Sequence, residues 1–219
     1  MFLNLFDLEK ILYIIRHGET DLNKKGIVQG RGVNSPLNET GLKQAELFYE
    51  FYKSVPFEKL FTSTLLRTHQ TVDGFIQSGI PWEQLEGLDE ISWGIYEGKE
   101  QTEEVLSGFL ALTQGWCNGE LDSCVENGET PNQVKKRQEQ AIDYILNTMS
   151  THSKVLVCMH GRAIRLLLCL LLGIDLSRMD EFPHTNTALY KVLYDGVRFE
   201  IIDFYNISHL EGIDSEWIK

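Results

Sequence analysis

Two short runs of the chain are apolar at every position, Ile11 to Ile15 (ILYII) and Val155 to Met159 (VLVCM). They are too short for packed helices and rich in strand formers, so they predict strands buried on both faces, as in a parallel sheet. Between them the period lengthens. Asn38-Glu39-Thr40-Gly41 leads into a helical segment reaching about Lys53, with Ala45, Phe48 and Tyr52 among its apolar positions. A strand is predicted near Glu58 to Phe61, then a helix from Thr64 to about Gln77 capped by Ser63. A weaker strand near Gln84 to Leu88 precedes helices over Thr102 to Gln114 and Pro131 to Met149, the latter opening on Thr130-Pro131 as cap and first position. Arg162 to Leu172 reads as a helix closed by Gly173. Thr187 to Leu193 and Arg198 to Phe204 read as strands joined at Asp195-Gly196, a hairpin signal.

This alternation predicts an α/β fold: a three-layer α/β/α sandwich whose central sheet is mostly parallel with an antiparallel edge. The 219 residues fit one domain, in which the loop-rich stretch 92–130 is an insert over the sheet ends.

Charge narrows the partners. Twenty Lys and Arg against 32 Asp and Glu give a formal charge of -12, a surface that repels nucleic acid and anionic lipid. Any anion bound here must meet a local concentration of positive groups. The four cysteines, Cys117, Cys124, Cys158 and Cys169, have neither metal-site spacing nor the density of a secreted scaffold. The opening MFLNLFDLEK has no basic leader, and the longest apolar stretch, Leu166 to Leu172, is far short of a membrane span. A cytoplasmic protein is expected.

Each buried strand is followed at once by a histidine and a glycine: Arg16-His17-Gly18 after the first, His160-Gly161 after the second. In open α/β sheets ligands sit just beyond the carboxyl ends of the strands. Asn23 and Gln29-Gly30 on the loop beyond His17 supply amide donors and a permissive backbone, and Arg67 lies one helical turn from Ser63. Glu90 closes the weak strand ahead of Trp93-Gly94, while the helix after His160 offers its free N–H groups at Gly161. Each feature taken singly is ordinarily structural. Together they suit an anion with O–P–O edges.

In order along the chain, RHGETDLN, QG, PLNETGLKQA, TSTLLRTHQT, LDEISWGIYEG and CMHG resemble the histidine phosphatase (phosphoglycerate mutase-like) superfamily, from about residue 11 to residue 204. The resemblance implies the phosphoglycerate mutase-like sandwich, a nucleophilic His17 that becomes phosphohistidine, and a phosphate pocket of Arg16, Arg67 and His160; because positive charge dominates phosphoryl transfer, His160 is expected to be protonated. It implies Glu90 as proton donor, Asn23, Gln29, Gly30 and the Gly161 amide as further phosphate contacts, and neither metal nor cofactor. At a position where the family is commonly basic this chain carries Ile27, with Lys24 and Lys25 nearby.

The expected activity is metal-independent hydrolysis of a small phosphorylated metabolite. A cofactor-dependent mutase and a phospho-ligand binding protein without turnover are the alternatives. The mutase branch carries additional arginines, whereas Ile91 follows Glu90 here and Lys99 is the one basic residue between Ile91 and Val134, among eight Asp and Glu from Glu97 to Glu129. The insert's aromatics, Trp93, Tyr96, Phe109 and Trp116, suit either its own core or the entrance to the site. Oligomeric state, a homodimer included, stays open.

Overall fold

The computed structural model describes residues 9–100 and 102–211; residues 1–8 of the opening segment lie outside them. In chain order the elements are β1 (Lys10–Arg16), α1 (Asp21–Lys24), α2 (Glu39–Tyr52), β2 (Phe57–Thr62), α3 (Leu66–Thr71), α4 (Asp73–Gln77), β3 (Trp82–Gln84), α5 (Glu103–Cys117), α6 (Pro131–Thr148), β4 (Lys154–Met159), α7 (Gly161–Leu172), β5 (Leu189–Tyr194) and β6 (Phe199–Asn206). The six strands form one sheet in the order β3-β2-β4-β1-β5-β6. β3, β2, β4 and β1 are mutually parallel, and β5 and β6 add the antiparallel edge. The fold is the α/β sandwich that the alternation predicts.

The continuous apolar runs follow from burial on both faces. Leu12 and Ile14 of β1 join Val155 and Val157 of β4 under α6 and α7. Tyr13 and Ile15, with Leu156 and Cys158, join Phe48, Tyr52 and Phe75 of α2 and α4 on the other face. Among the described residues no helix is long and apolar enough to cross a membrane.

Three predicted elements differ. The helix expected over Thr64 to Gln77 breaks at Val72, with φ −107° and ψ 11°. Just before the break, the Thr71 hydroxyl donates to the Arg67 carbonyl at 2.6 Å and accepts the Gly18 N–H at 2.9 Å; such back-bonding bends helices. The helix proper begins at Leu66, so Ser63 is not its cap residue; its hydroxyl accepts the Leu65 N–H at 3.1 Å and also meets His160 at 2.7 Å. The strand near Gln84 to Leu88 ends at Gln84 and gives way to a 3₁₀ turn over Glu86–Leu88. There Gly87 lies so close to α6 that a Cβ would stand 2.6 Å from the Ala141 Cβ. The Asp195-Gly196 hairpin is also wider than a two-residue turn: Asp195 accepts the N–H groups of Val197 and Arg198 across a four-residue loop. Within 92–130 the 15-residue α5 is the main regular element.

Register creates the site. Arg16 of β1 pairs with Met159 of β4, and the His17 N–H donates to the Met159 carbonyl at 3.0 Å. The two histidines therefore leave the sheet side by side. The turn after His17 is locked to α2: Asn38 caps that helix through the Gly41 N–H at 2.8 Å, and its own N–H donates to the Glu19 carbonyl at 3.0 Å. A Cβ on Gly41 would lie 2.1 Å from the Glu19 carbonyl oxygen. Both partners are backbone and cannot yield cheaply. Gly41→Ala is expected to cost about 1–3 kcal/mol, as overpacking does, read as a lower urea midpoint at unchanged slope; an unchanged midpoint would refute the close approach.

Candidate active site

His17 is buried, and its Nδ1 lies 2.7 Å from the Gly18 carbonyl oxygen. A carbonyl can only accept, so Nδ1 carries the hydrogen and the lone pair is on Nε2. Burial, followed by the charges of Arg67 and Arg16, pushes the His17 pKa well below its usual value. The imidazole is therefore neutral, with its lone pair on Nε2. The Asn186 amide, donating to the His17 carbonyl at 2.9 Å, steadies the turn.

His160 lies against it, with ring centroids 5.1 Å apart. Arg67 Nε donates to His160 Nδ1 at 3.2 Å, which places the hydrogen on Nε2, 2.7 Å from the Ser63 hydroxyl. Burial and then the Arg67 charge hold the His160 pKa far below its usual value. The protonated His160 expected from the charge demand of phosphoryl transfer is thus corrected to a neutral imidazole that donates through Nε2. Arg67 itself has no exposed surface, and burial lowers its pKa to about 10. Its other donors reach the carbonyls of Val33 at 2.7 Å and Gly30 at 3.4 Å.

Arg16, at the end of β1, donates through Nη1 to the Nδ1 and carbonyl oxygen of His184 at 3.1 and 3.0 Å. Its Nε is buried without a partner. A cation with an orphaned buried donor marks a place where an acceptor is missing. Burial, then the Arg16 charge, depresses the His184 pKa to about 2, so this imidazole too is neutral.

Glu90 follows the 3₁₀ turn and closes no strand. Its Oε1 accepts the N–H groups of Ile91 and Ala163, both at 2.9 Å, and its Oε2 accepts that of Arg162 at 3.1 Å. The amino end of α7 is thereby occupied by a carboxyl group of the protein itself.

A cavity of about 160 Å³ opens among Arg16, His17, Asn23, Gln29, Glu90, Gly161, Arg162 and His184, walled by Ile27, Val28, Trp93 and Phe109. Arg67, His160 and Gly30 are not part of its lining; they pack behind it. Gln29 reaches the Thr20 hydroxyl through Nε2 at 2.7 Å and accepts from Ser35. Asn23 is fixed through Oδ1 by the N–H and hydroxyl of Thr20. Ile27 lines the cavity, whereas Lys24 belongs to a separate hollow with Asp21 and Leu37. The insert's aromatics divide: Trp116 is core, 1% exposed, while Trp93 and Phe109 also line the site.

The motif blocks do not contain His184, Asn186 or Arg162. Arg162 reaches the mouth of the site paired with Asp180 at 2.5 Å and lies over the rings of Trp93 and Trp116. One signal was available for the first two. An antiparallel β5 must begin at the edge where β1 and β4 end, so the preceding Pro183-His184-Thr185-Asn186 faces the histidines.

Such a pocket defines a class: an α/β protein with a histidine-centred anion site at the carboxyl edge of its parallel strands. A model of the histidine phosphatase superfamily (branch 1) matches residues 12–207, and the chain belongs to that family. It is 37% identical over 139 residues to the Mus musculus fructose-2,6-bisphosphatase TIGAR, covering 61% of this chain and 50% of that one. To the putative phosphoserine phosphatase 2 of Hydrogenobacter thermophilus it is 25% identical over 203 residues, 91% and 97% of the two chains. The chain spans about half the length of the first curated relatives it matches. Among solved structures, Bacillus stearothermophilus YhfR superposes with a TM-score of 0.82 at 28% identity, over 92% of this chain and 100% of that one. The phosphoserine phosphatase of Entamoeba histolytica, solved with 3-phosphoglyceric acid, gives 0.78 at 25%, over 92% and 99%.

The neutral histidines set a pH dependence. His17, His160, His184 and His209, the last lowered by burial to about 4, all have folded-state pKa values below the unfolded value of 6.5. Below that pH the unfolded chain takes up protons that the folded chain refuses. Stability is therefore fully present above pH 6.5 and lost on acidification. Each histidine contributes at most about 1.4 kcal/mol per pH unit. Denaturation at about pH 7 and about pH 5 should show the loss, and imidazole ¹⁵N shifts should show His17 still neutral at the lower pH. Flat stability, or an imidazolium signature on His17, would contradict the assignment.

Proposed function

We propose that the protein is a metal-independent phosphomonoester hydrolase acting on a small phosphorylated metabolite through a phosphohistidine on His17. One observation carries this reading: a neutral imidazole whose Nε2 lone pair is left free by the Gly18 carbonyl, beside arginines that supply positive charge. Phosphoryl transfer is mostly positioning plus charge stabilisation, and that is what these groups offer. His17 Nε2 attacks phosphorus, the P–O ester bond breaks, and its electron pair leaves with the alkoxide. Glu90, protonated for this step, hands its proton to that oxygen. The ionised carboxylate then takes a proton from the water that cleaves the N–P bond, which restores His17 and releases inorganic phosphate.

Arg16, with its unpartnered Nε, is the direct phosphate clamp, joined by the Asn23 Nδ2, the Gln29 side chain and the Gly161 N–H. Arg67 supplies charge from behind, and it and His160 orient each other. Gly30 contributes a carbonyl to Arg67 and close packing against Glu97 and Ile91. The names of the relatives, a sugar bisphosphatase and phosphoserine phosphatases, support a small-metabolite substrate. A cytoplasmic setting agrees with four cysteines that are all unpaired.

Two measurements test this. Quenching with ³²P-labelled substrate in EDTA should place acid-labile label on the wild type and none on His17→Ala; equal labelling would exclude His17 as nucleophile. Glu90→Gln should slow an alkyl phosphate roughly 10²–10⁴-fold, the usual worth of a positioned acid, and p-nitrophenyl phosphate far less, because p-nitrophenolate leaves unaided. Equal losses on the two esters would remove Glu90 from the proton path.

A further inference from the structure

The loop that presents Glu90 is held from outside the cavity. Arg137, on α6, directs Nε to Glu129 Oε1 at 3.0 Å and Nη2 to Glu129 Oε2 at 3.1 Å and the Glu90 carbonyl at 3.0 Å. Its Nη1 serves the carbonyls of Gly87 at 2.9 Å and Asp89 at 2.8 Å, with that of Glu86 at 3.4 Å. All five N–H donors of one guanidinium therefore go to a single loop and to the carboxylate that braces it. Glu129 Oε2 also accepts the Ser92 N–H at 2.9 Å. On the other flank Asp89 Oδ1 accepts the N–H and the hydroxyl of Thr64, both at 2.9 Å. Residues on both sides of Glu90 are thus pinned, and Gly87 allows the loop to approach α6 this closely.

We propose that Arg137, braced by Glu129, is a positioning residue for Glu90. It fixes the loop so that the Glu90 carboxylate stays on the Arg162 and Ala163 amides, in the cavity that His17 also lines. The inference rests on the phosphatase reading for its catalytic consequence, but not for the geometry. It also assigns Glu129 a role: the last carboxylate of the acidic insert clamps the proton donor's loop. Lysine cannot replace the arginine, since an ammonium offers three donors from one point and no planar fork.

The test uses Arg137→Lys and two esters, ethyl phosphate and p-nitrophenyl phosphate. A displaced Glu90 fails as an acid but leaves His17 intact. Turnover of the ethyl ester should therefore fall roughly ten- to a hundredfold further than that of the aryl ester, part of what a positioned acid contributes. In a Glu90→Gln background the same substitution should add no further loss, because both act through one group. Amide exchange at Arg162 and Ala163 should quicken by about tenfold while Val155 and Val157 of β4 stay protected. Equal losses on the two esters, additive losses in the double variant, or unchanged exchange at those two amides would each overturn the proposal. Should Arg137→Lys loosen β4 as well, Glu129→Gln removes the brace from the other side and must give the same leaving-group pattern, smaller in size. A wild type that hydrolyses neither ester would sink the phosphatase reading, and the exchange measurement would still decide whether Arg137 positions Glu90.

Discussion

Arg67 is fully buried, and among the described residues no carboxylate pairs with it; its donors meet two backbone carbonyls and an imidazole nitrogen. Removing a guanidinium from water on such terms is costly, and neutral dipoles offset only part of that cost. Much else in the site follows from this one burial. The charge forces His160 to offer a lone pair, which sends its hydrogen toward Ser63, and it helps keep His17 neutral. Arg16 adds a second cation that depresses the first. Two buried arginines thus stand around the Glu90 carboxylate inside a protein of net charge -12.

The scaffold makes that burial achievable. Two parallel strands in register deliver the two histidines together, and the antiparallel β5 brings the His184 loop back to the same edge. Backbone packed against backbone at Gly18 and Gly41 leaves the His17 turn little freedom. Rigidity of this kind suits a site whose main task is to hold charges and one lone pair in fixed positions.

The cavity wall is apolar where a neighbouring cation was conceivable. Ile27, Val28, Trp93 and Phe109 form part of its lining, and Arg162, which lines it together with Arg16, is already paired with Asp180 and lies over two indoles. The acidic insert contributes through Glu129, which faces inward to Arg137 and not outward to a ligand.

Much of this was legible in the residues alone. The uninterrupted apolar runs at Ile11 to Ile15 and Val155 to Met159 could only be strands covered on both faces, and His17, Glu90, Arg67 and His160 stood out through motifs that local sequence carries whole. The protonation of His160 was not legible, because it depends on which atom of Arg67 reaches which ring nitrogen. Nor was the bend at Val72, where Thr71 serves two backbone groups from distant segments. The weak strand at Gln84 to Leu88 yielded to a turn because Arg137, some fifty residues on, claims its carbonyls. His184 and Arg137 lie outside every motif, and only strand direction and helix packing bring them to the site. Local pattern determined which backbone was buried and which side chains could carry the chemistry, since periodicity and residue type are properties of short segments. Tautomer, charge state and the aim of each donor were decided by the tertiary structure, because each depends on a hydrogen bond to a partner far away in the chain.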